Sequence, residues 1–127
     1  MLLSLCFSQQ PVQANAWVRI YTNRKLNFIT YLDRTSIVRQ GSRRYFWTHQ
    51  TSTDGQSMGD WRNRAIASID IYYTADCQKG ALWAQYVELY DQKRQLIDTM
   101  DAQATPILQR MRNRPQNQGL VQYVCAN

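Results

Sequence analysis

Few of the residues that usually carry chemistry are present. The chain has one histidine, His49, and three cysteines in 127 residues. A structural zinc site takes four Cys or His ligands, and cleavage after Ala16 would leave three, His49, Cys77 and Cys125. Asp54, Asp60, Asp70, Glu88, Asp91, Asp98 and Asp101 show no spacing that pairs two carboxylates for acid–base work. Ser36, Ser42 and Ser52 lack a nucleophile-elbow context, and there is no Gly-rich loop for phosphate or a dinucleotide. An enzyme is therefore not expected. Five glycines and three prolines are too few for a repetitive or linker-rich chain. No apolar run approaches the ~20 residues of a membrane-spanning helix.

Positive charge and aromatic side chains are plentiful. Fifteen Lys and Arg against nine Asp and Glu give a net charge of +6 and a pI of about 9.5. That balance suits anionic partners such as nucleic acid, lipid head groups or sulfated glycans. Four Trp and eight Tyr argue against disorder and suit β structure. The length allows one domain, which a crosslink would help to stabilise.

Residues 1–16 read as a processing segment. Leu2-Leu-Ser-Leu-Cys-Phe7 is a short apolar run, a polar stretch follows, and Ala14-Asn-Ala16 has the A-x-A form of a signal-peptidase site. No Lys or Arg precedes the run, as expected if the true start lies upstream. Leu5 stands where a lipoprotein box needs a small residue, so lipidation at Cys6 is not expected. Cleavage after Ala16 leaves a domain over 17–127 with two cysteines, Cys77 and Cys125. In an exported domain they read as one disulfide. The alternative is a pair of buried free thiols in a cytosolic protein.

The stretch from Ile66 to Cys77 organises the chain. Ala67, Ile69, Ile71 and Tyr73 alternate with Ser68, Asp70 and Tyr72, a period of two that predicts a long, half-buried strand. Trp17 to Thr22, Phe28 to Leu32 and Arg43 to Gln50 predict further strands. Asp33 predicts a helical or Asx turn, and Gln40-Gly-Ser42 a turn. Gly59 to Arg64 leads into the long strand. Ala81 to Tyr90 contains helix formers, but Tyr86, Val87 and Tyr90 favour a strand, with Gln95 to Met100 returning beside it. Near the C-terminus Asn117 is a candidate N-cap, and Leu120, Val121, Val124 and Cys125 share one helical face. Residues 101–115 stay open between helix and loop. The fold expected is α+β: a twisted antiparallel meander with a short C-terminal helix packed on it, bringing Cys125 to Cys77.

The order of motifs resembles a family. Tyr31-Leu-Asp33 followed by Ser36-Ile37 is similar to the Y-x-D-x-x-S-I element of the surface-adhesin protein E family. Trp17, Trp47, Asp76-Cys77, Tyr90-Asp91, Pro115 and Tyr123-Val-Cys125 follow in the same order. The resemblance spans nearly all of residues 17–127. It implies a small exported β-rich domain, a Cys77–Cys125 disulfide, and adhesion or ligand binding at a cell surface. Two positions depart from the family's pattern. The turn after Asp91 lacks a glycine, and Asn117 stands where a serine would cap the helix.

For binding, arginines interleaved with aromatics stand out: Arg43, Arg44, Trp47, Trp61 and Arg62. Such a set can hold a protein or a polyanionic surface ligand, although arginines at strand ends also serve as solvated, snorkelling side chains. Arg110, Arg112 and Arg114 form a second basic cluster. His49 alone could ligate haem iron, although a lone strand histidine is more often a surface residue; otherwise no cofactor or metal is expected. The functional expectation is an exported, non-catalytic binding or adhesion module, periplasmic or at the cell surface. The rivals are a self-associating envelope subunit, such as a homodimer pairing sheet edges, and a nucleic-acid or polyanion binder. An export signal weighs against nucleic acid.

Overall fold

The computed structural model describes residues 16–101 and 115–126. The apolar run of residues 2–7 and the Arg110, Arg112 and Arg114 cluster lie outside the described residues. Nine strands and one helix follow in order: β1 (Trp17–Asn23), β2 (Phe28–Asp33), β3 (Val38–Gln40), β4 (Arg43–Thr51), β5 (Asp60–Trp61), β6 (Arg64–Ala65), β7 (Ser68–Asp76), β8 (Ala81–Tyr90), β9 (Leu96–Asp101) and α1 (Pro115–Ala126). The main sheet runs β1-β2-β4-β7-β8-β9, antiparallel throughout, with β3 beside β4. The expected meander and C-terminal helix are thus both present, and Ala81–Tyr90 is the strand that its tyrosines and valine predict.

Asp33 acts as expected. Its carboxylate accepts from the Thr35 backbone N–H at 3.1 Å and caps a 3-10 turn over Arg34–Ser36. That turn breaks what would be one edge partner of β4 into two, with β2 pairing Thr48 to Thr51 and β3 pairing Arg43 to Tyr45. The gap does not leave a donor unpaired, because Ser36 Oγ accepts from the Trp47 N–H at 2.8 Å.

Strand alternation sends Phe46, Ile71, Tyr73, Ala75, Leu82, Ala84, Val87 and Leu89 to one side of the sheet, where α1 adds Leu120 and Val124. Phe46 and Tyr73 stack at 5.7 Å between ring centroids. Burying Leu120 and Val124 fully contributes roughly 1.5–3 kcal/mol each. Gly119 lets the helix approach β1, since a Cβ there would lie 3.1 Å from Ile20 Cγ2. The helix starts at Pro115, not after Asn117. Proline suits the first helical position, where its missing N–H has no partner to lose. Asn117 is instead buried in the first turn, beside Gln116.

Cys77, just past β7, is bonded to Cys125 in the last turn of α1, with a Cα–Cα separation of 5.5 Å. Asp76 supports the turn at this end, its carboxylate accepting from Gln78 and Lys79 N–H groups. The helix is therefore stapled to the end of the central strand.

One element was not expected. Asp60–Trp61 and Arg64–Ala65 form a small separate hairpin. Its two loop residues, Arg62 and Asn63, have φ of 54° and 61°, as a two-residue turn matching strand twist requires.

Candidate binding surface

The side of the sheet opposite the helix is not covered by any described element. Because partners across a strand pair share a face, the register defines its content. From β4 come Arg43, Tyr45, Trp47 and His49. From β7 come Asp70, Tyr72 and Thr74, and from β8 Trp83, Tyr86 and Glu88. Burial follows the same parity: Phe46, Thr48 and Gln50 are buried, while the residues between them are half-buried.

Two zones make up this face. The first is aromatic. Trp47 lies 5.1 Å from Tyr72 and 6.3 Å from Tyr86, the second contact edge-on at 86°. Arg43 stands over the Trp83 ring at 5.4 Å. Such tilted pairs stabilise by about 0.5–1.5 kcal/mol beyond area burial, so the rings form a fixed platform. The second zone is polar. His49 Nδ1 donates to Asp70 Oδ1 at 2.6 Å, and Arg94 Nη2 donates to Asp70 Oδ2 at 2.7 Å. Arg94 also donates to Ser68 Oγ and covers the Tyr90 ring at 3.8 Å. The Tyr90 hydroxyl donates to Glu88. Burial, followed by the Glu88 acceptor, pushes the Tyr90 phenol up. For Asp70, burial would raise the carboxyl, but the bonds from His49 and Arg94 outweigh it and hold it below its usual value. On the other side of His49, Trp17 packs at 5.5 Å. Together with Tyr31 and Thr51 these rings line a shallow cleft of about 270 Å³.

The five residues expected to bind do not share a surface. Arg43 and Trp47 lie on the open face. Arg44, one residue on from Arg43, points to the helix side, where its Nε donates to the Val124 carbonyl at 3.3 Å. This is a cation at a helix C-terminus, which the helix dipole favours. Trp61 and Arg62 ride on the β5–β6 hairpin and both bond Asp98 of β9, at 2.7 and 3.1 Å. Sequence reasoning missed Tyr72, Tyr86, Trp83 and the His49–Asp70–Arg94 cluster. The signal was available in strand parity: once β4 and β7 are paired, His49 falls opposite Asp70.

His49 makes no bond to a hydroxyl or thiol among the described residues, so its Asp70 pair lacks the nucleophile of a catalytic triad. Among the described residues no three His, Cys, Asp or Glu side chains converge as a metal site. No described helix is long and apolar enough to cross a membrane.

A disulfide-stapled antiparallel sheet, with a helix on one side and an aromatic platform on the other, defines a small β-sheet domain with one C-terminal helix. Comparison narrows the class. The family model described as surface-adhesin protein E matches residues 17–126, and the chain belongs to that family. It is thus an adhesion-type surface protein. Crystal form II of Haemophilus influenzae protein E is similar in fold, with a TM-score of 0.55 at 17% identity over 89% of each chain. Protein E from non-typeable Haemophilus influenzae is similar at a TM-score of 0.52 and 19% identity, over 89% of this chain and 77% of that one. No curated protein sequence matches the chain.

Proposed function

We propose that this chain is an exported, non-catalytic contact module that binds an envelope or extracellular protein through its open sheet face. The observation that carries this reading is the ordered aromatic platform of Trp47, Tyr72 and Tyr86, which no described element covers. A sheet that needed only a core would present polar side chains on its outer face. Aromatics and arginine are the residues enriched where proteins meet. Export proceeds by removal of residues 1–16, which places the domain in the periplasm or outside the cell. Arg43 and Trp47 are retained as contact residues, joined by Tyr72 and Tyr86. Arg44, Trp61 and Arg62 take structural roles.

The test is binding of purified protein to immobilised envelope and extracellular-matrix proteins. Trp47→Ala with Tyr86→Ala should weaken binding at least about tenfold, as loss of buried aromatic anchors does, while the disulfide-linked fold still melts cooperatively. Undiminished binding by the folded double variant would remove the open face from the mechanism. Light scattering run alongside separates the self-associating reading, since a dimer formed by pairing sheet edges would persist in the same variant.

A further inference from the structure

Trp17 packs against a residue that its own strand does not pair with. β1 and β4 flank β2 on either side, yet the Trp17 ring lies 5.5 Å from that of His49 on β4, tilted by 49°. The indole therefore reaches across β2 and stands as a wall over the sheet, while the residue stays 43% exposed. Tyr31, on the strand between them, is directly opposite His49 in register. Thr51 lies on the same face of β4 as His49. These four side chains line the cleft of about 270 Å³.

The polar atoms of this lining are open. The Trp17 indole N–H, the Tyr31 hydroxyl and the Thr51 hydroxyl make no hydrogen bond among the described residues. His49 donates from Nδ1 to Asp70, which fixes the tautomer, so a neutral ring presents Nε2 as an acceptor. The cleft thus combines aromatic walls with one N–H donor, two hydroxyls and one acceptor. No Lys, Arg, Asp or Glu lines it.

We propose that this cleft binds one neutral hexopyranose, the terminal sugar of a glycan, with the C–H face of the sugar ring against the Trp17 indole. Its hydroxyls meet Tyr31, Thr51 and His49 Nε2. A pyranose has an apolar face and a rim of hydroxyls that both donate and accept, and a pocket of rings with a few placed polar groups matches both. The volume falls just under the ~300–1,000 Å³ of ligand clefts, which suits a single ring. A nucleobase stacks flat on successive platforms, and walls tilted by 49° leave no parallel slot. A cation is drawn to aromatic faces, but Arg19 already stands over the Tyr31 ring at 5.9 Å and repels a second one. An anion would meet the Asp70 carboxylate behind His49 with no Lys or Arg in the lining to offset it. The site is distinct from the Trp47, Tyr72 and Tyr86 platform and does not rest on the protein contact proposed there.

The experiment titrates the whole nitrogen-15-labelled protein with methyl β-galactoside and with methyl β-glucoside, read on the tryptophan indole N–H signals. The Trp17 signal, identified by its loss in Trp17→Phe, should shift saturably at millimolar sugar, the strength open to so small a ligand. The Trp61 and Trp83 signals should stay in place. Calorimetry on variants gives the second readout. Trp17→Ala should weaken binding at least about tenfold, as loss of an aromatic anchor does. Thr51→Val keeps the side chain's size, removes one hydroxyl and should weaken it about two- to tenfold; it carries the test if Trp17→Ala fails to fold. No shift of the Trp17 signal with either glycoside, or undiminished binding by the folded variants, would overturn the proposal. So would glucuronate or choline bound more tightly than both glycosides. Trp47→Ala with Tyr86→Ala should leave sugar binding intact, so the fate of this site and that of the protein-contact reading are measured separately.

Discussion

Asp70 accepts hydrogen bonds from both His49 and Arg94, and that position gives it a measurable signature. His49 and Arg94 hold its carboxyl below the ordinary range against the opposing effect of burial. A carboxylate depressed in the folded state contributes stability above its unfolded value, ~4, and loses it as pH falls through the folded one. Asp70→Asn should therefore lower stability by about 1–2 kcal/mol at pH 7, measured by urea unfolding. The gap from wild type should shrink at pH 3 and below. A gap that stays constant with pH would show that the network is not electrostatic in origin. The same scale explains why the sequence could not show which arginines share a face. Arg43 and Arg44 are neighbours in sequence but lie on opposite sides of a strand, so a cluster of arginines in the chain is not a cluster in space. Arg94 was hidden for another reason. It takes φ of 61° in the turn after Asp91, where the family's pattern carries a glycine, and so turns its side chain back over Tyr90.

At the scale of elements, alternation made most of the sheet readable. Period two marked β1, β2, β4 and β7, and the β-favouring Tyr86, Val87 and Tyr90 outweighed the helix formers of β8. The β5–β6 hairpin escaped because its left-handed turn residues are Arg62 and Asn63, with no glycine to signal them. The start of α1 escaped because Asn117 looks like a cap, while its burial shows it as an interior residue of the helix. The helix itself depends on a close approach. Gly119→Ala gains about 1 kcal/mol of helix propensity but presses on Ile20 at 3.1 Å, and the two effects should nearly cancel. Gly119→Leu has no such room and should cost about 1–3 kcal/mol through overpacking. Thermal melts of the two variants check this. Equal stability for both would mean that α1 does not pack tightly on β1.

For the whole molecule, the disulfide joins residues 48 apart in sequence and fastens α1 to the end of β7, one of the long central strands. In the chain-entropy model that constraint stabilises the fold by about 4 kcal/mol. Cys77→Ser with Cys125→Ser should lose most of it in chemical unfolding, and native protein should show no alkylatable thiol at either position by mass spectrometry. A fold held closed on one side in this way can leave its other side bare. The family relationship makes the protein adhesion-type, and the open face is where the account places its contact. The most direct test puts a photo-crosslinking phenylalanine analogue at position 47 or 86 on the open face, and at 118 or 122 on the exposed side of the helix. After illumination with envelope and extracellular-matrix proteins, covalent adducts should form from positions 47 and 86 and be absent from 118 and 122. Adducts confined to the helix positions would contradict the account.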